Sequence, residues 1–116
     1  MASAAELFDQ AYELLCEGKP DEAIDMYKQV LAIDPQHSDA LHELAMAYAD
    51  KDMLDEAIET VRRMTELTPD DPMVYTDLSR LYQRKGMIPE AEAQAAKARM
   101  LDWKQQLQEK KKETGN

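Results

Sequence analysis

The residue types that usually carry out enzyme chemistry are few in this sequence. Two histidines, His37 and His42, lie five positions apart, and the nearest carboxylates are Asp39 and Glu43. A metal site needs three or four ligands that converge on one point, and this spacing is not typical of one. The sequence also has no Gly-rich phosphate loop, no HExxH motif and no GxSxG motif. We therefore expect no enzyme activity, no bound metal and no cofactor.

The only cysteine, Cys16, follows Glu13 and precedes Glu17. Negative neighbours disfavour the thiolate, which is the reactive form, so we expect an unreactive thiol. One cysteine cannot form a disulfide within the chain, which is typical of a reducing compartment. The first residues lack the basic and apolar regions of a signal peptide. These features together predict a cytoplasmic protein.

The composition indicates one helical domain that binds neither nucleic acid nor membrane. The chain has 116 residues, which fits a single domain. Aromatic residues make up only 6% and glycine occurs three times, which argues against a β-sandwich or barrel. The net charge of −10 excludes a domain-wide attraction to nucleic acid or to an anionic membrane. No apolar run approaches the ~20 residues of a membrane span.

A repeat with a period of 34 residues runs through the sequence. Pro35 and Pro69 are separated by this distance, and the segment PDEAI at residues 20–24 recurs as LDEAI at 54–58 and as PEAE at 89–92. Three copies at one offset, without an insertion, indicate a repeated structural unit.

Each unit is predicted to contain two helices. Apolar residues recur at spacings of three and four, as in Leu41, Leu44 and Tyr48. Gly18 and Gly86 follow the first helix of their units, where a left-handed residue commonly ends a helix, and Asp52 takes that position in the middle unit. The predicted helices cover residues 4–17, 21–34, 38–50, 54–68, 72–85 and 89–112.

Small residues recur where the helices of a unit must approach closely. They are Ala11, Ala45 and Ser79 on the first helices, and Ala23, Ala57 and Ala91 on the second. With this pattern the chain resembles the tetratricopeptide repeat (TPR) family over about residues 4–103. The resemblance implies an all-α fold, a right-handed superhelical array of three helix-turn-helix repeats with the last helix extended. The expected domains are residues 1–103, with repeats at about 4–37, 38–71 and 72–103, and a helical extension with a frayed tail at 104–116.

The last predicted helix departs from the family pattern. Trp103 takes the position where a third boundary proline would fall, so the helix can continue beyond it. The continuation carries an apolar stripe at steps of four, three and four. This C-terminal stripe consists of Ala96, Met100, Trp103 and Leu107. Two interpretations are open: the stripe folds partly onto the body as a cap, or it docks on another chain.

The resemblance also implies that the first helices of the repeats line a concave groove that binds a partner. Phe8 and Tyr12 share a helix face outside the core stripe, so they either pack on the neighbouring repeat or anchor a ligand side chain. The groove positions are Phe8, Asp9, Tyr12, Asp39, His42, Glu43, Met46, Met73, Thr76, Asp77 and Arg80.

Some family members use this groove to hold the acidic C-terminal tail of 70- and 90-kDa chaperones, through a clamp of Lys, Asn, Asn, Lys and Arg. None of these residue types is present at the matching positions. Those positions are Phe8, Tyr12, Glu43, Met73 and Asp77. Because Glu43 and Asp77 would repel a terminal carboxylate, we do not expect a receptor for such tails.

Charge is distributed unevenly along the chain. Residues 1–79 carry a net charge of −14 and residues 80–116 a net charge of +4. We therefore predict a mostly monomeric, non-enzymatic adaptor that binds a basic or amphipathic peptide or helix of a protein partner in the groove. The alternative is a structural module that self-associates through its C-terminal helix.

Overall fold

The computed structural model describes residues 2–115, which form six α-helices and no strand. The helices are α1 (Ala4–Cys16), α2 (Pro20–Ile33), α3 (Ser38–Asp50), α4 (Leu54–Leu67), α5 (Pro72–Arg84) and α6 (Ile88–Glu113). The prediction of six helices is confirmed, and every predicted end lies within one residue of the observed end. The outermost residues of the two predicted domains, Met1 and Asn116, lie outside the described range.

The helices begin and end where the local sequence supports it. The Ser3 hydroxyl accepts a hydrogen bond from the Glu6 backbone N–H at the start of α1, and the Asp71 carboxylate accepts one from the Met73 N–H at the start of α5. The turns after α1, α3 and α5 contain Gly18, Asp52 and Gly86, with φ of 76°, 60° and 78°. The predicted left-handed positions are therefore confirmed, including the aspartate in the middle unit.

The described helices form two compact units, of which the first ends at Leu67 and the second begins at Thr68. In the first unit α1 packs on α2, α2 on α3, and α3 on α4. Its core combines fully buried alanines with a few large side chains, because small residues let the helices approach closely. The residues at 0% exposure are Ala11, Ala23, Tyr27, Val30, Ala40, Leu41, Ala45 and Ala57.

The second unit consists of α5 packed on α6. The Ser79 hydroxyl is buried and donates a 2.8 Å hydrogen bond to the Ala91 carbonyl oxygen, which ties the two helices together. The Tyr75 hydroxyl donates to the Pro69 carbonyl oxygen at 2.9 Å, and the Gln105 side chain donates to the Asp70 carbonyl oxygen at 3.0 Å. These bonds hold the segment before α5 against both helices of the unit.

The C-terminal stripe is exposed rather than folded onto other residues. Met100 is 57% exposed, Trp103 59% and Leu107 39%. Partial folding of the stripe onto the body, one of the two interpretations left open by the sequence, is therefore not seen among the described residues. The physical reason is its position on α6, because the buried residues Ala91 and Ala98 lie on the opposite side of the helix.

Within residues 2–115, no helix is both long enough and apolar enough to cross a membrane.

His37 should contribute measurably to the stability of the first unit. Its Nδ1 atom accepts a hydrogen bond from the Ala40 N–H at 3.1 Å and caps α3. We expect His37→Ala to lower the free energy of unfolding by about 1–2 kcal/mol, and His37→Asn to lower it less because asparagine can also cap a helix. Urea unfolding of both variants measures the difference. Equal losses would show that the capping bond contributes nothing.

Candidate functional site

The site in the first unit is built around Tyr27, which lies on α2 and is completely buried. The Phe8 ring of α1 meets the Tyr27 ring edge-on, with 5.7 Å between the ring centroids. The other partner of Phe8 is His37, whose ring stacks on it at 5.1 Å. Phe8 is therefore half-buried between α2 and the start of α3. Phe8 therefore packs against Tyr27 and His37, and only part of its ring is open to solvent.

The hydroxyl group of Tyr27 has no hydrogen-bond partner among the described residues. Burial is the largest cause that raises the pKa of Tyr27 to about 12. Coulombic interactions with Glu43, Tyr12 and Cys16 raise this pKa further. Tyr12 and Cys16 belong to α1 and Glu43 belongs to α3, so side chains of both helices act on the Tyr27 hydroxyl. A buried hydroxyl without a partner usually costs about 1–3 kcal/mol, so the group is an unused donor beneath this surface.

The surface above Tyr27 combines an exposed aromatic ring with carboxylates. Tyr12 is 53% exposed, and Glu43 is half-buried nearby. Asp9 on α1 and Asp39 on α3 are exposed on the same two helices. We call this surface the α1/α3 face. It consists of Phe8, Asp9, Tyr12, Asp39, His42, Glu43 and Met46, of which His42 and Met46 are half-buried.

The remaining groove positions lie on α5, in the second unit. Met73 is 58% exposed and Arg80 is exposed, whereas Thr76 and Asp77 are half-buried. Met73 and Thr76 line a cleft of about 680 Å³ between α5 and α6, together with Arg99. The methionine thus contributes a large, adaptable apolar side chain to a cleft that is also lined by Arg99 and by three carboxylates, Asp70, Asp71 and Asp102.

The described part of the chain contains no group of three or more His, Cys, Asp or Glu side chains that could hold a metal ion. His37 uses Nδ1 to cap α3, and His42 lies half-buried on α3. Cys16 is exposed at the end of α1.

Two members of the site, Tyr27 and His37, did not emerge from the sequence as site residues. The available signal was a tyrosine at a core position, because a buried hydroxyl needs a partner that a phenylalanine would not need. No comparable signal distinguishes His37, since helix caps are more often Ser, Thr, Asp or Asn.

Helix pairs that recur at a fixed spacing along a chain define a helical-repeat protein. The sequence model of the tetratricopeptide repeat family matches residues 14–76, which is more than half of the chain. The chain therefore belongs to the tetratricopeptide repeat family, as the resemblance in its sequence predicted. No curated protein sequence matches the chain.

Three solved structures with the same fold illustrate the likeness. MamA is 23% identical, with a TM-score of 0.83 over 89% of this chain and 60% of MamA. YrrB, a TPR protein with an unusual peptide-binding site, is 20% identical, with a TM-score of 0.78 over 87% of this chain and 52% of YrrB. The second TPR domain of Spaghetti (RPAP3), bound to the HSP90 peptide SRMEEVD, is 21% identical, with a TM-score of 0.75 over 85% of this chain and 92% of that domain.

Proposed function

We propose that this protein is a non-enzymatic adaptor that binds a basic or amphipathic peptide or helix of a partner protein on the α1/α3 face. The observation that carries the proposal is the exposed Tyr12 ring of α1, which, like the Glu43 carboxylate of α3, interacts with the buried, unpaired hydroxyl of Tyr27. Exposed aromatic residues are frequent anchors of protein interfaces. In the second unit, the groove positions Met73, Thr76, Asp77 and Arg80 of α5 are proposed as a separate set of contact residues.

The charge of the α1/α3 face favours a cationic ligand. Asp9, Asp39 and Glu43 contribute three carboxylates, and the face has no lysine or arginine among its seven members. Complementary charge accelerates encounter and selects the partner, whereas buried apolar contacts supply most of the affinity. A ligand with basic residues around an apolar side chain satisfies both requirements, because the apolar side chain can pack on Tyr12 while the cations approach the carboxylates.

The same charges argue against an acidic ligand. The RPAP3 domain binds the acidic peptide SRMEEVD, but the likeness to this chain is one of fold. In this chain the α1/α3 face contains the carboxylate of Glu43, which interacts electrostatically with the buried Tyr27 hydroxyl beneath it. A peptide carboxylate brought to that position would be repelled and would lose solvation without gaining a cationic partner. We therefore propose that acidic chaperone tails are not ligands.

The decisive experiment measures peptide binding to the full chain by calorimetry. We expect a basic amphipathic helical peptide to bind, and a peptide with the same apolar residues but glutamate in place of lysine not to bind. The affinity should fall as salt is added, because part of the attraction is electrostatic and exposed. Tight binding of the acidic peptide would contradict the proposed charge preference.

Tyr12→Ala provides the second measurement. We expect it to weaken binding of the basic peptide by about 30-fold, the effect typical of an aromatic anchor, without lowering thermal stability. Gln10→Ala is the matched control, because Gln10 is exposed on the same helix but two positions earlier, on a different side. If the two variants bind the peptide equally well, Tyr12 is not an anchor and the α1/α3 face is not the binding surface.

A further inference from the structure

The C-terminal stripe faces away from the helix that α6 packs on. The buried residues of α6, Ala91 and Ala98, are seven positions apart and so lie on one side of the helix. Leu107 follows Ala98 by nine positions, which places it about 180° further around α6. Trp103 and Met100 share the side of Leu107, and both are more than half exposed. The stripe is thus a second apolar side of α6, and α5 does not cover it.

Cations border the stripe on both sides. At about 100° per residue, Arg99 and Lys110 lie within about 70° of its centre on one side. Lys104 and Lys111 lie within about 70° on the other side. All four side chains are exposed. Two copies of the stripe placed against each other would bring these cations together, and like charges at close range oppose such pairing. The stripe is therefore suited to an apolar surface surrounded by carboxylates.

We infer that the C-terminal stripe of one copy docks on the α1/α3 face of a second copy. The inference rests on the proposed function, because it names α6 as a ligand of that face. The second copy has the required surface: residues 1–67 hold 16 acidic and 5 basic side chains, a net charge of −11, and Tyr12 is exposed among them. Residues 96–113 hold six basic and three acidic side chains, a net charge of +3. The stripe is thus a basic amphipathic helix of the kind proposed as ligand.

The association would be heterologous, because the stripe and the α1/α3 face are different surfaces. Each copy keeps a free stripe or a free face after one contact, so assembly continues into rings or open chains instead of stopping at a dimer. A contact that depends on three exposed apolar side chains and four surface cations should be weak and sensitive to salt.

The test follows the full chain by sedimentation velocity from micromolar to submillimolar concentration, at low and high salt. Trp103 is the only tryptophan, so its fluorescence reports directly on the stripe. At low salt we expect the average mass to rise with concentration and Trp103 emission to shift to the blue. Both changes should disappear at high salt. In Trp103→Ala, where only the mass can be followed, the rise in mass should disappear as well. A chain that stays monomeric at all concentrations at low salt overturns the inference.

Charge exchange identifies the two surfaces. The stripe variant carries Lys104→Glu and Lys110→Glu, and the face variant carries Asp9→Lys and Asp39→Lys. We expect each variant to associate at least tenfold more weakly than the original chain when it is alone. An equimolar mixture should recover association. The acidic stripe of the stripe variant then meets the basic face of the face variant, and the original stripe of the face variant meets the original face of the stripe variant. No recovery in the mixture, or undiminished association of the stripe variant, overturns the inference.

Two further measurements separate this inference from the proposed function and from another occupant. If an unrelated basic amphipathic peptide binds the α1/α3 face but the chain does not associate, only the inference fails. If the peptide does not bind either, the proposed function fails as well. Vesicles containing phosphatidylserine provide the second of these measurements. A blue shift of Trp103 on such vesicles, with no self-association in solution, would identify a lipid surface as the occupant and overturn the inference.

Discussion

Tyr27→Ala should lower the free energy of unfolding by about 3–5 kcal/mol, the cost typical of removing a buried aromatic ring. Tyr27 is completely buried, and its ring supports Phe8 in an edge-on contact. The truncation leaves a cavity between α1 and α2 that backbone movement can only partly close. Chemical denaturation of the variant beside the original chain measures the loss.

Tyr27→Phe is the matched control, because it keeps the ring and removes only the hydroxyl group. Since that hydroxyl has no hydrogen-bond partner among the described residues, we expect the free energy of unfolding to stay unchanged or to rise by about 1 kcal/mol. A loss larger than about 1 kcal/mol would show that the hydroxyl is hydrogen-bonded in the folded protein.

The same pair of proteins gives a pH dependence with a defined sign. Burial raises the pKa of Tyr27 to about 12 in the folded chain, whereas tyrosine in an unfolded chain titrates near pH 10. Relative to Tyr27→Phe, the free energy of unfolding of the original chain is therefore constant below about pH 10. It falls as the pH rises from about 10 to about 12, because in this range the unfolded chain has released the tyrosine proton and the folded chain has not. The difference between the original chain and Tyr27→Phe should change in this window by up to about 1.4 kcal/mol per pH unit.

Ala57→Leu is expected to have the second largest effect, a loss of about 1–3 kcal/mol in the free energy of unfolding. Ala57 is fully buried on α4, which packs on α3. A leucine adds three carbon atoms where the helices approach closely, so the side chain must adopt a strained rotamer or push the helices apart. Thermal and urea unfolding should both show the loss.

Ala93→Leu controls for the change of residue type alone. Ala93 is exposed on α6, so the added carbon atoms meet solvent and the effect should stay within about 0.5 kcal/mol. If Ala57→Leu is tolerated as well as Ala93→Leu, the small residues in the repeat do not reflect close helix packing.

The helices were predictable from the sequence because several independent signals coincide at their ends. Pro20, Pro72 and Pro89 occupy the first turns of α2, α5 and α6. Gly18, Asp52 and Gly86 mark the turns. A proline in the first turn and a left-handed residue after the end are local requirements of the backbone, so they can be recognised without knowledge of tertiary contacts.

The candidate site was predictable only in part. Tyr12 and Met73 are exposed as expected of residues on a binding surface, because both lie outside the apolar stripe of their helices. The unpaired hydroxyl of Tyr27 depends on which side chains of α1 and α3 approach it. That arrangement is a tertiary property, and no spacing along the chain contains it. The exposure of the C-terminal stripe has the same origin, since periodicity identifies an apolar side of a helix but not what covers it.

The order of the helix contacts has a consequence for how quickly the chain can fold. Within each unit, the helices that pack together follow each other in the chain: α1 and α2, α2 and α3, α3 and α4, and α5 and α6. Each contact therefore closes only a short loop, and the entropy lost before the contact forms is small. Chains with such low contact order fold in microseconds to milliseconds. A newly synthesised helix pair can thus reach its native packing while the next pair is still being made.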